Sequence, residues 1–237
     1  LYTRLRAGNM SNVYGGDGIF AQEYGFNSDN AVEVNRLYYS FPIGDSVTVV
    51  GGPVVRMDDM LPVWPSAYPS DMTYDFFTYA GAPGAYNLAL GAGAGVFWES
   101  NDFSVSASYL STNGSSSCPS NEVTGVDADG IPNEGPCYDE NGDFIGGGIG
   151  TDAAAFSSTM QVAYAPENWG AAFAYTVASS ENGVGLYQGN ANGQAALASL
   201  LGDTTNSIGL SAWWMPEESG WIPSISVGYG GTWIESD

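Results

Sequence analysis

Phe97-Trp98-Glu99-Ser100-Asn101-Asp102-Phe103-Ser104-Val105-Ser106-Ala107-Ser108-Tyr109 contains both parts of the plan on which this chain is built. From Phe103 onward every second residue is apolar (Phe103, Val105, Ala107, Tyr109), and the residues between are Ser104, Ser106 and Ser108. A strand sends successive side chains to opposite faces, so this pattern predicts one apolar face and one small polar face. Ahead of it, Glu99 to Asp102 is a polar turn signal with Phe97 and Trp98 before it and Phe103 after it. An amphipathic ring prefers the boundary between an apolar slab and water to either side of it. Rings crowding a turn therefore place that turn at such a boundary.

The plan recurs along the chain. Tyr39 and Phe41 precede Pro42-Ile43-Gly44-Asp45, Tyr164 and Trp169 bracket Ala165 to Asn168, and Trp213, Trp214 and Trp221 bracket Met215 to Gly220. The alternation returns in Met160, Val162 and Tyr164 against Thr159, Gln161 and Ala163, and in Ile208, Leu210, Ala212 and Trp214 against Ser207, Gly209 and Ser211. These patterns predict about nine strands, at 1–8, 32–41, 46–56, 85–98, 103–111, 156–165, 169–179, 204–215 and 221–233. Short turns alternate with long loops at 9–31, 57–84, 112–155 and 180–203. Short turns on one rim and long loops on the other are the layout of outer-membrane barrels, whereas Greek-key crossings give no reason for the alternation. The expected fold is all-β, a transmembrane antiparallel β-barrel with short periplasmic turns and long extracellular loops. Its aromatic girdle would be Tyr39, Phe41, Trp98, Phe103, Tyr164, Trp169, Trp214 and Trp221. The alternative is a soluble or surface-attached β-sandwich acting as a lectin-like binding module. The two differ in whether the apolar strand face meets lipid or a second sheet.

Composition narrows the functions. In 237 residues there are 26 Asp plus Glu against 4 Arg, with no Lys and no His, for a net charge of −22. Phosphate binding requires clustered cations, so no nucleic-acid partner is expected. The lack of His removes the Ser-His-Asp triad, the Cys-His dyad and His-based zinc or haem sites, and no two acids stand out as a matched catalytic pair. No enzyme activity and no cofactor are expected. There is no run of 18 or more apolar residues to make a spanning helix, and spanning strands need none.

All four arginines lie in the first 56 residues. Arg4 and Arg6 alternate against Leu5, and Arg36 shares its parity with Tyr38, so the expected pore-lining set is Arg4, Arg6, Arg36, Arg56 and Tyr38. These residues can steer anions, or they can pair with acids such as Glu33, Asp58 and Asp59 to hold a loop in place. The loop 57–84 carries more rings than a solvated loop would. Asp58, Asp59, Trp64, Tyr68, Asp71 and Tyr74 are its candidates for a constriction, if the loop folds into the lumen. It can instead meet a neighbouring subunit or cap the surface. Loop 112–155 holds eight of the 26 acids, together with Cys118 and Cys137, which are expected to form a disulfide in an oxidising compartment. Asp139, Asn141 and Asp143 have calcium-ligand spacing, but with Gly142 misplaced for the usual loop and no closing Glu, an ordinary turn is the better reading and no metal is expected.

Residues 30–50 (Asn-Ala-Val-Glu-Val-Asn-Arg-Leu-Tyr-Tyr-Ser-Phe-Pro-Ile-Gly-Asp-Ser-Val-Thr-Val-Val) resemble a signature stretch of cyanobacterial outer-membrane porins. So do Thr3-Arg4-Leu5-Arg6-Ala7-Gly8-Asn9 and Gly91-Ala92-Gly93-Ala94-Gly95-Val96. The likeness is to porins with a surface-layer-homology domain, related to the carbohydrate-selective OprB family and also described as iron-uptake porins. It is dense over residues 1 to 110. It implies a sixteen-stranded, usually trimeric barrel in the outer membrane, passing small solutes or inorganic ions. Nine strands fall short of that, so residues 1–237 are expected to be a partial barrel domain. The peptidoglycan-binding domain would be missing.

Overall fold

A computed structural model of the chain describes residues 1–10, 25–73, 75–112, 149, 155–179, 204–218, 221 and 223–235. They form one nine-stranded antiparallel sheet in which each strand pairs with its sequence neighbours, in the order β1 to β9. The strands are β1 (Tyr2–Arg6), β2 (Glu33–Ile43), β3 (Val47–Arg56), β4 (Leu90–Ser100), β5 (Phe103–Ser111), β6 (Phe156–Tyr164), β7 (Trp169–Ser179), β8 (Thr204–Trp214) and β9 (Ile225–Glu235). The sheet is not closed, since β1 does not pair with β9. Among the described residues no helix is long and apolar enough to cross a membrane.

Each alternating pattern becomes a ladder with a fixed register. Phe103 to Ser111 pairs residue for residue with Tyr164 back to Phe156, and Trp169 to Ser179 with Trp214 back to Thr204. A slip of one residue would swap the two faces, so the apolar and polar sets hold the register. Turn chemistry agrees with this. Gly44, between β2 and β3, has φ +68°, a conformation that costs an L-residue about 1–2 kcal/mol. Asn101, between β4 and β5, takes φ +52°, which its short polar side chain tolerates.

Several strand boundaries differ from expectation, and three of them have a clear local reason. The strand predicted from residue 85 starts at Leu90. Before it, Asn87 accepts the Ala89 N–H at 3.1 Å and donates to Ser157 Oγ at 2.9 Å, and Leu88 turns to φ +50°, so Ala85–Ala89 leave the ladder. The long connection after β3 accordingly runs from Met57 to Ala89. The last strand starts at Ile225, not at 221. Pro223 has no N–H to give a ladder, and the Ser224 carbonyl is taken by the Tyr68 hydroxyl at 2.9 Å. The first strand ends at Arg6 because the Gly8 carbonyl turns aside to accept the N–H groups of Ser28 at 2.9 Å and Asn30 at 3.0 Å.

The two faces of the sheet have opposite fates. Val105, Met160, Val162, Phe173, Leu210, Val227 and Tyr229 all lie exposed on one face. On the other, Ser104, Ser106, Ser108, Thr159, Gln161, Thr176, Ser207 and Ser211 are buried. What buries them is the connection 57–89, which lies along this inner face. Its own Met57, Met60, Tyr79, Ala82, Ala85, Tyr86, Leu88 and Ala89 make the main apolar cluster with Val50, Val55, Leu110, Ala174 and Ala178 of the sheet.

Candidate functional site

The connection is fastened at its root by charge. β3 ends at Arg56, and the next four residues, Met57–Met60, make a 3₁₀ turn. Asp59 Oδ2 accepts the Arg56 backbone N–H at 2.8 Å and the Arg36 Nε–H of β2, also at 2.8 Å. The Tyr38 hydroxyl donates to the other Asp59 oxygen at 3.4 Å. Asp58 takes both arms of the Arg56 guanidinium, at 2.6 and 2.5 Å, and the Ser70 hydroxyl at 2.7 Å. Arg36 is only 3% exposed, so this clasp is shielded from water, where charge-assisted bonds are strongest.

The two neighbouring carboxylates respond differently. Burial works against ionisation of Asp58, but the paired Arg56 guanidinium and the Ser70 hydroxyl outweigh it and hold its carboxyl below the ordinary value. Burial, then the Asp58 charge alongside, push Asp59 above the ordinary value despite the N–H of Arg56 and the charge of Arg36. Two adjacent carboxylates in one pocket are driven apart in this way.

Beyond the root the connection rests on small polar side chains. Gln161 donates to the Tyr86 hydroxyl at 3.2 Å, Thr176 donates to the Ala85 carbonyl at 2.7 Å, and Ser226 accepts the Ala67 N–H at 2.9 Å. Burial pushes the Tyr86 phenol up to about 12, so it stays a neutral hydrogen-bonding group. Trp64 packs edge-on against Tyr79 and Tyr86, with centroids at 5.9 and 5.5 Å. Glycines at inward positions make room: a methyl on Gly228 would stand 2.0 Å from the Ala80 carbonyl oxygen, and one on Gly209 would stand 3.0 Å from both the Tyr86 ring and the Ala82 methyl.

The expected site residues divide between this assembly and the rest of the chain. Arg36, Arg56, Tyr38, Asp58 and Asp59 come together in the clasp, so the loop-holding ion pairs are present. Arg4 stands directly across the ladder from Arg36, and Arg6 lies over the Phe26 ring at 4.5 Å. Trp64 and Tyr68 sit within the inner connection, whereas Asp71 is exposed on it. Tyr74, Cys118, Cys137, Asp139, Asn141 and Asp143 lie outside the described residues. Among the described residues, no group of three or more Asp, Glu or Cys could hold a metal ion.

The ring-bearing residues line the exposed face at the turn end of the sheet. Tyr39, Phe41, Trp98, Phe103, Trp169 and Trp214 are exposed, with Tyr164 between Phe103 at 4.5 Å and Trp169 at 5.3 Å. Trp221 stands free in the last turn, beyond any strand. Trp213 and Phe97 are the exceptions among the turn-flanking rings: both point inward, Phe97 partly buried against the main apolar cluster and Trp213 buried, with Gly170 opposite it leaving room for the indole.

Sequence reasoning did not foresee Tyr86 as part of the inner connection, nor Gln161, Thr176 and Gly228 as its contacts. The available signal was the set of glycines at inward parity, Gly209, Gly228 and Gly230, which leave a groove for another backbone. No protein-family model, curated protein sequence or solved structure matches the chain.

Proposed function

We propose that this chain is the wall and inner cover of an outer-membrane diffusion channel, a porin-type β-barrel that passes small hydrophilic solutes and ions without a catalytic step. The observation that carries the reading is the inversion of polarity across the sheet. A sheet in water hides its apolar face and wets its polar one; here Val162, Leu210 and Val227 are exposed while Ser106, Thr159 and Gln161 are buried. Lipid is the medium in which that arrangement is favourable. Most strands have 9 to 11 residues, the length that crosses a bilayer core when tilted. The rings at the turn end sit where a membrane interface would lie. β1 and β9 run in the same direction, so an all-antiparallel closure takes an odd number of further strands between them.

Two measurements on the full-length protein test this. In planar bilayers it is expected to give stepwise conductance with inorganic salts and swelling of liposomes in small sugars, and to need detergent to remain monodisperse. A protein that is monodisperse in plain buffer and silent in bilayers overturns the reading in favour of a water-exposed β-module.

A further inference from the structure

The inner connection crosses the sheet twice and is bonded to it on each pass. From the clasp at Asp58 and Asp59 it reaches β9, where Ser226 accepts the Ala67 N–H and the Tyr68 hydroxyl donates to the Ser224 carbonyl. On the way back Ala80 lies against Gly228 of β9 and Ala82 against Gly209 of β8, the Ala85 carbonyl accepts from Thr176 of β7, and Tyr86 and Asn87 bond Gln161 and Ser157 of β6. Ala89 ends the circuit by accepting the Met57 N–H at 2.9 Å. The floor beneath is shut off from solvent, since Thr159, Gln161, Thr176 and Ser207 are at most 2% exposed. In a barrel, small inward-facing polar side chains ordinarily line water. Here they seat a backbone whose polar groups need partners, and a hydrated ion or solute has no access to them.

Open inner surface remains in two places that adjoin the clasp. One is on β1 and β2. Tyr2 stacks on Tyr38 at 4.9 Å, and the Tyr38 hydroxyl reaches Asp59, so both rings face inward. Tyr2 is nonetheless 46% exposed, Ser40, at the same parity as Tyr38, is exposed, and Arg4 is half-buried. The other place is the far side of the connection, where Asp71 is exposed and Phe77 is 56% exposed. The clasp brings the two together. Ser70 donates to Asp58 Oδ2, so Asp71 emerges beside the clasp, and Arg4 stands across the ladder from Arg36, a member of the same clasp.

We infer that solutes pass on the side of the connection turned away from β5 to β8, along a strip with Tyr2, Arg4 and Ser40 on one wall and Asp71 and Phe77 on the other. Arg4 and Asp71 set its preference between cations and anions, and the buried serines and threonines take no part. This deepens the channel reading and rests on it.

Full-length protein in planar bilayers under a potassium chloride gradient tests the path. Asp71→Asn should lower the cation-to-anion permeability ratio and Arg4→Gln should raise it, each by about twofold. Should Arg4→Gln fail to fold, Ser40→Asp puts a charge on the same wall at an exposed position and should raise the ratio likewise. An anionic, membrane-impermeant thiol reagent separates path from floor. Measured against the parent treated in the same way, Phe77→Cys should be labelled, by mass spectrometry, and lose about half its current, whereas Ser106→Cys should stay unlabelled and conduct as before. Ratios that do not move in Asp71→Asn and Arg4→Gln, or a Ser106→Cys variant labelled as fast as Phe77→Cys with loss of current, in a parent that conducts, overturn the path and leave the channel standing. A parent that is silent in bilayers removes the channel and the path with it.

Discussion

Leu110 and Leu210 are the same residue type on two strands of one sheet, yet one is fully buried on the inner face and the other is 57% exposed on the outer face. The inner one is covered by the chain's own connection. None of the described residues covers the outer one. The contrast separates what holds the sheet together from what the sheet meets: inner residues report on packing within the chain, and outer residues report on the medium. Leu110→Ala should therefore cost about 3–4 kcal/mol, measured by equilibrium unfolding, because the root of the connection packs against it. A loss below about 1 kcal/mol would mean that the cover is not seated in solution.

On the outer face the informative change adds charge. Leu210→Arg, at the middle of β8, should destabilise the protein in lipid vesicles by about 3 kcal/mol if hydrocarbon surrounds it, and by less than about 0.5 kcal/mol if water does. The two outcomes lie far enough apart for one unfolding titration to choose between them.

The sequence made the two faces legible because period-2 alternation is a local property. Ser104, Ser106 and Ser108 against Val105 and Ala107 need no knowledge of the rest of the chain. The pairing order followed from hairpin succession for the same reason. The cover was not legible in detail, since whether loop 57–84 filled the lumen, met a neighbour or capped a surface depends on contacts between residues far apart in sequence, such as Gln161 with Tyr86 or Ser224 with Tyr68. The arginines fall between these cases. Their inward parity was readable, and Asp58 and Asp59 were named as partners, but which acid takes which arginine is decided by the 3₁₀ turn at Met57–Met60. The strand boundary at Leu90 was obscured because Ala85-Tyr86-Asn87-Leu88-Ala89 has a strand-like composition, and only the Asn87 side chain and the Leu88 backbone take it out of the ladder.

Two changes of middling size sharpen the inner side of the comparison. Asp58→Asn removes the carboxylate that takes both arms of the largely buried Arg56 guanidinium and should cost about 2 kcal/mol at neutral pH. Because the folded carboxyl of Asp58 lies below the ordinary value of 3.8, its contribution is present above that value and is lost as pH falls through the folded one. The sign for Asp59 is opposite. Its raised value means that ionising it costs stability as pH rises through the folded value, and the cost is relieved on acidification toward 3.8. Unfolding followed from pH 7 down to 2 should thus show the Asp58→Asn variant losing less below pH 4 than the parent. An unchanged acid limb would remove Asp58 from the account. Gly228→Ala should cost about 2 kcal/mol by forcing the Ala80 carbonyl away, with the accompanying rise in hydrogen exchange confined to the cover and β9.

The smallest effect isolates backbone from packing. A methyl group on Gly44 would meet nothing within 4 Å, so Gly44→Ala has no steric cost of the kind expected at Gly228. What remains is the left-handed φ of +68°, disfavoured for alanine, set against the smaller entropy that an unfolded alanine chain has to lose. The net loss should be about 1 kcal/mol, the same in detergent and in vesicles, since the added methyl meets nothing and the cost is confined to the backbone. A loss several times larger in vesicles alone would show that the β2–β3 turn packs against another molecule in the membrane, and the short-turn rim would then have to be redrawn as an interface.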